Sequence, residues 1–323
     1  MRGYGPPEVL RAETVDLPPL AADEVRIRVL ASAVNHSDLE VRTGNWPIRG
    51  ADPFPYVPGL ETVGEVVEAG ADAGAVPVGM NVVTMMQGLG GVRAERPGGY
   101  AEHVTVAADA VAAIPADVDP LAVAAVGLAG VTAYEGLRRT GPLAGMRVVV
   151  TGASGGVGSA AVALACALDA AEVIAVVSRP ERVEYVRGLG ADRIVVSAHA
   201  DLAEALPGRS VDRVLDTVGG PLFGASVAAL REGGGLCSVG SVAGPRVGFS
   251  VDVLQRPVTL TGYSSESLDG PALRDAMTTL CTLLALDELA LPEITQLPLE
   301  GAAAAHTLLG EHRVQGRVLL IPA

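Results

Sequence analysis

Short apolar runs alternate regularly with helical segments between residues 146 and 256, and this alternation constrains the fold more than any other feature of the sequence. Runs that are apolar throughout predict strands buried on both faces, and a strand–helix repeat of this length implies right-handed crossovers in a parallel sheet. The predicted strands are 147–150, 173–177, 193–196, 211–215 and 236–239, and the predicted helices are 159–169, 181–189, 200–206 and 221–231. We therefore predict an α/β protein with a doubly wound parallel sheet over residues 123–256.

The sequence on either side of this region has a different pattern. Residues 24–34 and 63–83 contain short β-branched runs interrupted by Gly, Pro and Asp, which is typical of an antiparallel or barrel-like β region. From Pro257 onward the pattern predicts one more strand, a long helix and a closing strand over residues 316–321. Local pattern leaves open whether this last part packs with the first.

Charge and residue type exclude several classes of function. The chain has 37 acidic and 23 basic residues, a formal charge of −14, which repels nucleic-acid phosphates and anionic membranes. Every basic residue is Arg, so neither Schiff-base chemistry nor a Walker-type phosphate lysine is available. We predict no nucleic-acid partner.

Cysteine spacing and hydropathy predict a cytoplasmic protein. Cys166, Cys237 and Cys281 lie far apart, so they form neither a disulfide framework nor a four-cysteine zinc lobe. The first ten residues lack the apolar run of a signal peptide. Two apolar stretches, 121–137 and 160–177, fail as membrane spans because the first is short and Gly-rich and the second contains two carboxylates. We expect no membrane association.

A glycine-rich turn at the start of the alternating region predicts a dinucleotide site. The residues Ser154, Gly155, Gly156, Val157 and Gly158 follow an apolar strand and open a helix. Gly155 lets the backbone approach a pyrophosphate, Gly158 lets the helix pack on the strand, and the helix N-terminus offers free amides to the anion. Alanine replaces the first glycine of the usual G-x-G-x-x-G pattern, and packing alone also produces such turns. The position between a strand and a helix favours a dinucleotide site.

The end of the second strand predicts which dinucleotide binds. A domain that prefers NAD places Asp or Glu there, about twenty residues after the glycines, to bind the ribose hydroxyls. Here Ser178 and Arg179 follow the strand, and Arg182 comes shortly after. A hydroxyl and guanidinium groups suit a 2′-phosphate, so NADPH is the predicted cofactor. The alternative is a solvated helix start in which Glu181 neutralises these arginines.

Three further turns lie at the carboxyl ends of later strands, where a nicotinamide is expected. They are residues 216–220, Val239–Gly240–Ser241 and 262–265, which include Asp216 and Tyr263. Turns rich in Gly and Ser offer backbone and hydroxyl hydrogen bonds to a carboxamide at the crevice of such sheets. Asp216 has the alternative role of capping a helix.

Four more motifs occur in order with the glycine turn: residues 35–38 (NHSD), 58–61 (PGLE), 130–133 (GVTA) and 315–319 (QGRVL). With them the chain resembles the medium-chain dehydrogenase/reductase superfamily, and it is most similar to the zinc-independent quinone oxidoreductases and enoyl reductases. The resemblance implies a GroES-like β-rich catalytic domain at 1–122 and 257–323, a Rossmann NADP-binding domain at 123–256, and a homodimer.

The resemblance also implies that this chain works without zinc. Zinc alcohol dehydrogenases of the superfamily carry Cys and His where this sequence has Asn35 and Leu60. A leucine offers no ligand to zinc, and no cysteine cluster is present for a structural metal site. Metal-assisted alcohol oxidation is therefore disfavoured.

The reaction that the resemblance implies is hydride transfer from NADPH to a quinone or to the C=C bond of an enone or enoyl substrate. The cofactor performs the hydride step, and the protein aligns it and stabilises the developing enolate. By resemblance, Asn35 lies near the nicotinamide ribose and the substrate carbonyl, and Thr132 and Ser241 lie near the cofactor. Arg317 replaces a common lysine of the closing motif and is counted with the cofactor residues.

The chain departs from its relatives at the expected proton donor. Tyrosines often stand five and eleven residues after the Asn in related enzymes, and this sequence has Glu40 and Trp46 there. Trp46 can stack against a flat substrate, but an indole is not an acid. His36 is the alternative donor. Two other functions stay open: a cofactor-binding homologue without redox turnover, and a secondary-metabolism enzyme for a polycyclic or carrier-tethered intermediate.

Overall fold

A computed structural model describes residues 1–48, 54–86, 88–89, 96–196 and 202–323. The chain divides into two compact units. The first unit comprises Met1–Leu128, Ser265–Ala285 and Glu293–Ala323, and the second comprises Ala129–Ser264 and Leu286–Pro292. The chain passes from one unit to the other after residues 128, 264, 285 and 292, and the predicted boundaries were 122/123 and 256/257.

The described elements are numbered along the chain. The strands are β1 (Glu24–Val34), β2 (Glu61–Ala69), β3 (Asn81–Met85), β4 (His103–Ala107), β5 (Val111–Ala113), β6 (Arg147–Thr151), β7 (Glu172–Val177), β8 (Arg193–Val196), β9 (Val211–Asp216), β10 (Leu230–Ser238), β11 (Thr259–Gly262), β12 (Ile294–Pro298) and β13 (Arg317–Ile321). The helices are α1 (His36–Thr43), α2 (Pro120–Thr140), α3 (Gly156–Ala167), α4 (Val183–Gly188), α5 (Leu202–Ala205), α6 (Gly220–Ala229), α7 (Gly270–Ala285) and α8 (Ala302–Gly310). Short 3₁₀ helices connect several of them.

The second unit is built on a six-stranded sheet in the order β11-β10-β9-β6-β7-β8. Every neighbouring pair is parallel. All five predicted strands occur. The side chains of β6, β7 and β9 are mostly buried, as expected for a sheet covered on both faces, whereas the edge strand β8 buries only Val195. The doubly wound fold is confirmed, and β11 extends the sheet past residue 256.

The predicted helices of this unit occur with shifted ends. Residues 200 and 201 of the predicted third helix lie outside the described part of the chain, and α5 covers residues 202–205 of it. The predicted fourth helix was too long: α6 ends at Ala229, and β10 begins at once. The glycine run at 233–235 hid the start of this strand, because glycines carry no apolar side chain and the pairing register shifts there.

The first unit contains a mainly antiparallel sheet in the order β12-β13-β1-β2-β3-β5, with β4 also paired to β1. The predicted β-rich character of the first third is confirmed. Its core consists of apolar side chains from the five strands β1 to β5 and the adjoining loops: Val25, Ile27, Val29, Val66, Ala73, Val82, Leu89, Val104, Val106 and Val111.

The C-terminal part of the chain joins this sheet. The closing strand β13 pairs antiparallel with β1, and β12 pairs parallel with β13. The sequence predicted β13 and the long helix α7, but it missed β12 and α8. The side chains of β12 are only partly buried, so its sequence lacks an apolar alternation, and the alanine run of α8 has no clear helical stripe.

Helix α2 is long and apolar enough, by length and composition, to cross a membrane. In the protein, 83% of the most apolar 18-residue stretch of this helix is buried, as is usual for a helix in the core of a protein. The helix is kinked at Gly127, whose backbone is not helical. One such helix is weak support for a membrane span.

Candidate active site

The glycine turn lies where strand β6 passes into helix α3, in the second unit. Gly155 is exposed and forms the N-cap of α3, and Ser154, Gly156 and Val157 are partly exposed beside it. A Cβ atom on Gly155 would lie 3.4 Å from the Gly152 carbonyl oxygen, an ordinary contact. The exposed backbone amides at this helix end can therefore face an anionic ligand.

Gly158 has the packing role that the sequence predicted for it. A Cβ atom there would lie 2.1 Å from the Gly152 carbonyl oxygen and 2.7 Å from the Ala153 Cα atom. Both neighbours are backbone atoms, so they cannot move aside as a flexible side chain would. Only glycine lets α3 approach the end of β6 this closely.

The next strand of the sheet, β7, ends beside this turn and is followed by the predicted phosphate residues. Ser178, Arg179 and Glu181 are exposed, and Arg182 is partly exposed. No ion pair links Arg179 or Glu181 to any residue in the described ranges. The guanidinium of Arg179 is therefore available to an anionic ligand within this part of the chain.

Asp216 holds the ends of three neighbouring strands together. Its carboxylate accepts hydrogen bonds from the Thr151 hydroxyl (2.7 Å), the Gly219 amide (3.0 Å) and the Ser238 hydroxyl (3.5 Å). Burial raises the pKa of this carboxyl above its ordinary value. Since Gly219 is the N-cap of α6, Asp216 has the capping role and also fixes the turns after β6, β9 and β10.

The remaining nicotinamide-side residues follow β10 and β11 or lie on α2. Val239 donates its amide to the Asp216 carbonyl (2.8 Å), Gly240 lies against Thr217, and Ser241 is exposed. The Tyr263 ring lies 4.5 Å from the Arg139 guanidinium, a cation–π contact. Thr132 is buried on α2. The residues after β6, β7, β10 and β11 share the carboxyl edge of one sheet, and their cofactor roles remain predictions.

In the first unit, Asn35, Glu61 and Arg317 form a closed hydrogen-bonded triad. The side-chain amide of Asn35 donates to Glu61 Oε2 (3.0 Å). The Arg317 guanidinium donates to Glu61 Oε2 (2.7 Å) and to Asn35 Oδ1 (2.9 Å). Asn35 is 8% exposed, Arg317 4% and Glu61 0%, so this ion pair is withdrawn from water. Arg317 thus contacts side chains of its own unit, and its predicted cofactor contact remains a prediction.

The second oxygen of Glu61 is fixed by helix α2. Oε1 accepts the Leu128 backbone amide at 2.7 Å, directly after the kink at Gly127. A Cβ atom on Gly127 would lie 1.5 Å from this oxygen. The kink therefore frees the Leu128 amide for a hydrogen bond. Because glycine has no side chain, the Glu61 carboxylate can occupy the space beside residue 127.

A second buried carboxylate, Asp38, holds the backbone around the triad. It accepts the amides of Asn35 (2.8 Å) and Leu60 (3.1 Å) and a bond from the Tyr100 hydroxyl. Burial raises the pKa of Asp38 from its ordinary 3.8 to about 7. The Tyr100 hydroxyl also lies 3.0 Å from Nε2 of His306, whose pKa burial lowers to about 3, so that this imidazole is neutral.

We expect Asp38 to make stability depend on pH. Between about pH 4 and pH 7 the folded protein keeps a proton on Asp38 that the unfolded chain has released, so the free energy of unfolding falls as pH rises. The slope is about 1.4 kcal/mol per pH unit within that window. Asp38→Asn cannot ionise and should lose this slope. Urea denaturation of both proteins at about pH 5 and about pH 8 measures it, and parallel pH curves would contradict the assignment.

His36 and Trp46 lie outside this buried network. His36 opens α1 with a side chain 47% exposed, and its Nε2 lies 3.4 Å from a Glu40 carboxylate oxygen. Trp46 is partly buried against the cluster of Val41, Ile48 and Tyr56. An exposed imidazole can exchange protons with water, and a supported indole offers a flat face. Their catalytic roles remain predictions.

The sequence analysis missed Glu61 and Asp38 as site residues. Glu61 begins a run of buried residues in β2, Asp38 lies on the polar helix α1, and Arg317 is the lone cation at the start of the apolar strand β13. Charges are almost never buried without a partner, so the charge at the start of the apolar strand β13 was an available signal for Arg317, while Asp38 on α1 gave none. Local sequence did not indicate which of them pair.

A metal ion does not fit beside Asn35, Glu61 and Arg317. No group of three or more His, Cys, Asp or Glu side chains in the described ranges is placed to hold one. Asn35 is engaged by Glu61 and Arg317, and the neighbouring Leu60 side chain is a hydrocarbon. The guanidinium already provides the positive charge beside Glu61, and a cation there would be repelled.

The two units have the architecture of a GroES-like domain and a Rossmann domain, the two domains of the medium-chain dehydrogenases. Residues 21–116 match the family "Alcohol dehydrogenase GroES-like domain", and residues 156–280 match "Zinc-binding dehydrogenase". A quinone oxidoreductase of Pseudomonas aeruginosa is 30% identical, and the alignment covers 99% of this chain and 97% of that protein. The chain belongs to the medium-chain dehydrogenase/reductase superfamily and is an oxidoreductase, which confirms the predicted resemblance and fold.

Two further similarities concern a protein named for its dependence on NADPH and a structure that contains bound NADPH. The NADPH-dependent alkenal/one oxidoreductase of Arabidopsis thaliana is 32% identical over 78% of this chain and 66% of its own length. The structure of Escherichia coli quinone oxidoreductase complexed with NADPH superposes with a TM-score of 0.85 at 26% identity, covering 99% of this chain and 98% of that chain.

Proposed function

We propose that the protein is a zinc-independent reductase that transfers hydride from NADPH to a quinone or to the C=C bond of an α,β-unsaturated carbonyl compound. The observation that carries this proposal is the end of β7, where Ser178 and an Arg179 without an ion pair in the described ranges stand in place of a carboxylate. The quinone and alkenal/one oxidoreductases similar to this chain support the choice of substrates.

The second unit holds the cofactor. The turn 154–158 offers backbone amides to the pyrophosphate, and Ser178, Arg179 and Arg182 bind the 2′-phosphate. Thr132, the turn 239–241 and Tyr263 are assigned to the nicotinamide side. When bound, NADPH would supply the hydride to the substrate carbon that is conjugated with the carbonyl group.

The first unit provides the groups for the substrate. Trp46 presents a flat apolar face suited to a quinone or enone, which are planar molecules. His36 is the exposed group that can deliver a solvent-exchangeable proton to the reduced substrate. These side chains accelerate hydride transfer by binding and orienting the substrate. Hydrogen-bond donors to the negative charge that develops on the substrate oxygen add to this effect.

Oxidation of NADPH with a panel of acceptors tests the proposed reaction. The acceptors are 1,4-benzoquinone, 9,10-phenanthrenequinone, a simple enone and crotonyl-CoA, each compared with NADH as the donor. Loss of NADPH absorbance with at least one acceptor is the expected result. No turnover with any of them, while NADPH binds tightly by fluorescence, would contradict the reductase and favour a non-redox or specialised-pathway protein.

Arg179→Ala is expected to weaken NADPH by roughly 10- to 150-fold and to leave NADH nearly unchanged, because a charged hydrogen bond contributes about 1.5–3 kcal/mol. Dissociation constants from cofactor fluorescence measure both. Arg187→Ala is the matched control, since Arg187 is an exposed arginine of α4 that pairs with Glu184. Equal losses for NADPH and NADH would refute the 2′-phosphate assignment.

Added zinc or a chelator is expected to leave turnover unchanged, because the Asn35 position offers no metal-ligand set. Activity with and without EDTA, together with the metal content of the purified protein, measures this. A protein that loses activity in the chelator and recovers it with zinc would contradict the zinc-independent mechanism.

We propose further that the protein is a cytoplasmic homodimer. Strand β11 is an edge of the six-stranded sheet, and the same unit exposes apolar side chains including Val247, Val251 and Leu254. The three cysteines are free, which suits a reducing compartment. Light scattering during size-exclusion chromatography tests the dimer, and a monomeric mass would contradict it.

A further inference from the structure

We propose that Glu61 and Arg317 are positioning residues that fix the carboxamide of Asn35, so that Asn35 presents one hydrogen-bond acceptor and no donor to a bound molecule. The positioning follows from contacts within the first unit. Its consequence for the reaction rests on the proposed function.

The hydrogen-bonding capacity of Asn35 is almost fully used inside the protein. A carboxamide has two N–H donors and an oxygen with two acceptor positions. The nitrogen donates to Glu61 Oε2 (3.0 Å) and to the Ala33 carbonyl (3.3 Å), which uses both hydrogens. The oxygen accepts from Arg317 (2.9 Å), so one acceptor position remains.

The charges of Glu61 and Arg317 prevent the side-chain amide of Asn35 from rotating by half a turn. A rotation by half a turn would place the NH₂ group against the guanidinium of Arg317 and the oxygen against the carboxylate of Glu61. Both contacts would be repulsive, and burial strengthens them because little water screens the charges. Charge-assisted hydrogen bonds of this kind are the stronger ones in proteins.

The frame that holds the triad is itself anchored at both ends. Glu61 is tied to helix α2 through the Leu128 amide, and the backbone amide of Asn35 is tied to Asp38. The carboxylate therefore cannot swing away from Asn35 without losing three hydrogen bonds. Rigid support of this type preorganises a polar group for one direction of hydrogen bonding.

The orientation decides between the two contacts that the family resemblance gives to Asn35. A ribose hydroxyl can donate to the free acceptor position. A substrate carbonyl oxygen, which becomes negative as hydride arrives, needs a donor, and Asn35 has none left. Asn35 thus serves the cofactor side, and the donor to the substrate oxygen is another group, for which the exposed His36 is available.

Nuclear magnetic resonance of the ¹⁵N-labelled protein tests the orientation without any turnover. The side-chain NH₂ pair of Asn35 is identified by its absence in Asn35→Ala. We expect slow hydrogen exchange for this pair and a clear loss of protection in Arg317→Met. Arg317→Lys keeps the charge but lacks the fork that reaches two partners, so it should also expose the pair while unfolding less easily than Arg317→Met. An Asn35 pair that exchanges like exposed amides would overturn the proposal.

A double-mutant comparison separates positioning from simple stability. Arg317→Met leaves Glu61 buried and unpaired, and Tm should fall on the order of 10 °C. Adding Glu61→Gln removes that charge and should recover most of the loss in Tm. NADPH affinity and turnover should stay at least about tenfold below wild type, because Asn35 is then unsupported. The exposed pair Arg28 and Glu65, changed to Met and Gln, is the matched control and should alter neither quantity.

Recovery of Tm, NADPH affinity and turnover together in the double variant would reduce the triad to a structural ion pair and overturn the proposal. Wild-type protein that turns over none of the acceptors would refute the proposed reductase instead. In that case the exchange rate of the Asn35 pair and the NADPH affinity of the double variant still decide the role of Glu61 and Arg317.

Discussion

Replacing Gly158 with alanine is expected to reduce NADPH affinity by at least about a hundredfold and to lower the stability of the second unit. The new methyl group would lie 2.1 Å from the Gly152 carbonyl oxygen and 2.7 Å from Ala153 Cα. Helix α3 must then move away from β6, and overpacking of this kind costs about 1–3 kcal/mol. A shift of about 1 Å in the helix end would misplace the amides that hold the pyrophosphate, which is enough for a hundredfold loss.

Two other glycines serve as comparisons for this experiment. Gly155→Ala places its methyl group 3.4 Å from the nearest atom, so it should fold normally and weaken NADPH only where the ligand itself approaches the turn. Gly188→Ala meets nothing within 4 Å and should change neither stability nor binding. Fluorescence titration and thermal denaturation of the three variants measure both effects. Wild-type affinity in Gly158→Ala would contradict the packing argument.

The parallel sheet was predictable because its signal is local. Strands such as β6 and β7 are buried on both faces and therefore read as continuous Val and Ile runs, and the glycine turn stands at the junction that the physics of anion binding requires. Strand β12 gave no such signal. It is defined by pairing with β13, and its partly buried side chains leave no apolar pattern in the sequence.

The triad was not predictable, although two of its members were already named as site residues. Asn35 and Arg317 are 282 positions apart, and their contact depends on β13 returning to pair with β1. Arg317 was assigned to the cofactor from its motif alone. The charge of Arg317 in an apolar strand indicates that it has a partner, but only the tertiary fold identifies Glu61 as that partner.

Gly127→Ala is expected to destabilise the first unit by about 4 kcal/mol. Its methyl group would lie 1.5 Å from Glu61 Oε1, so the carboxylate must leave its place. Displacing it breaks the bond to the Leu128 amide and leaves the Arg317 cation buried without its partner, a loss that costs about 3–5 kcal/mol in comparable buried pairs. Urea denaturation measures the change in the free energy of unfolding.

The same substitution in a Glu61→Ala background shows whether the carboxylate is the cause. With no side chain to displace, Gly127→Ala should then keep only the cost of placing alanine in this non-helical backbone, about 1–3 kcal/mol, and the two changes should be non-additive. An equal cost in both backgrounds would place the clash in the backbone of α2 instead of at Glu61. Non-additivity would establish that the kink in α2 exists around this carboxylate. The glycine, the broken helix and the orientation of Asn35 would then depend on one buried charge.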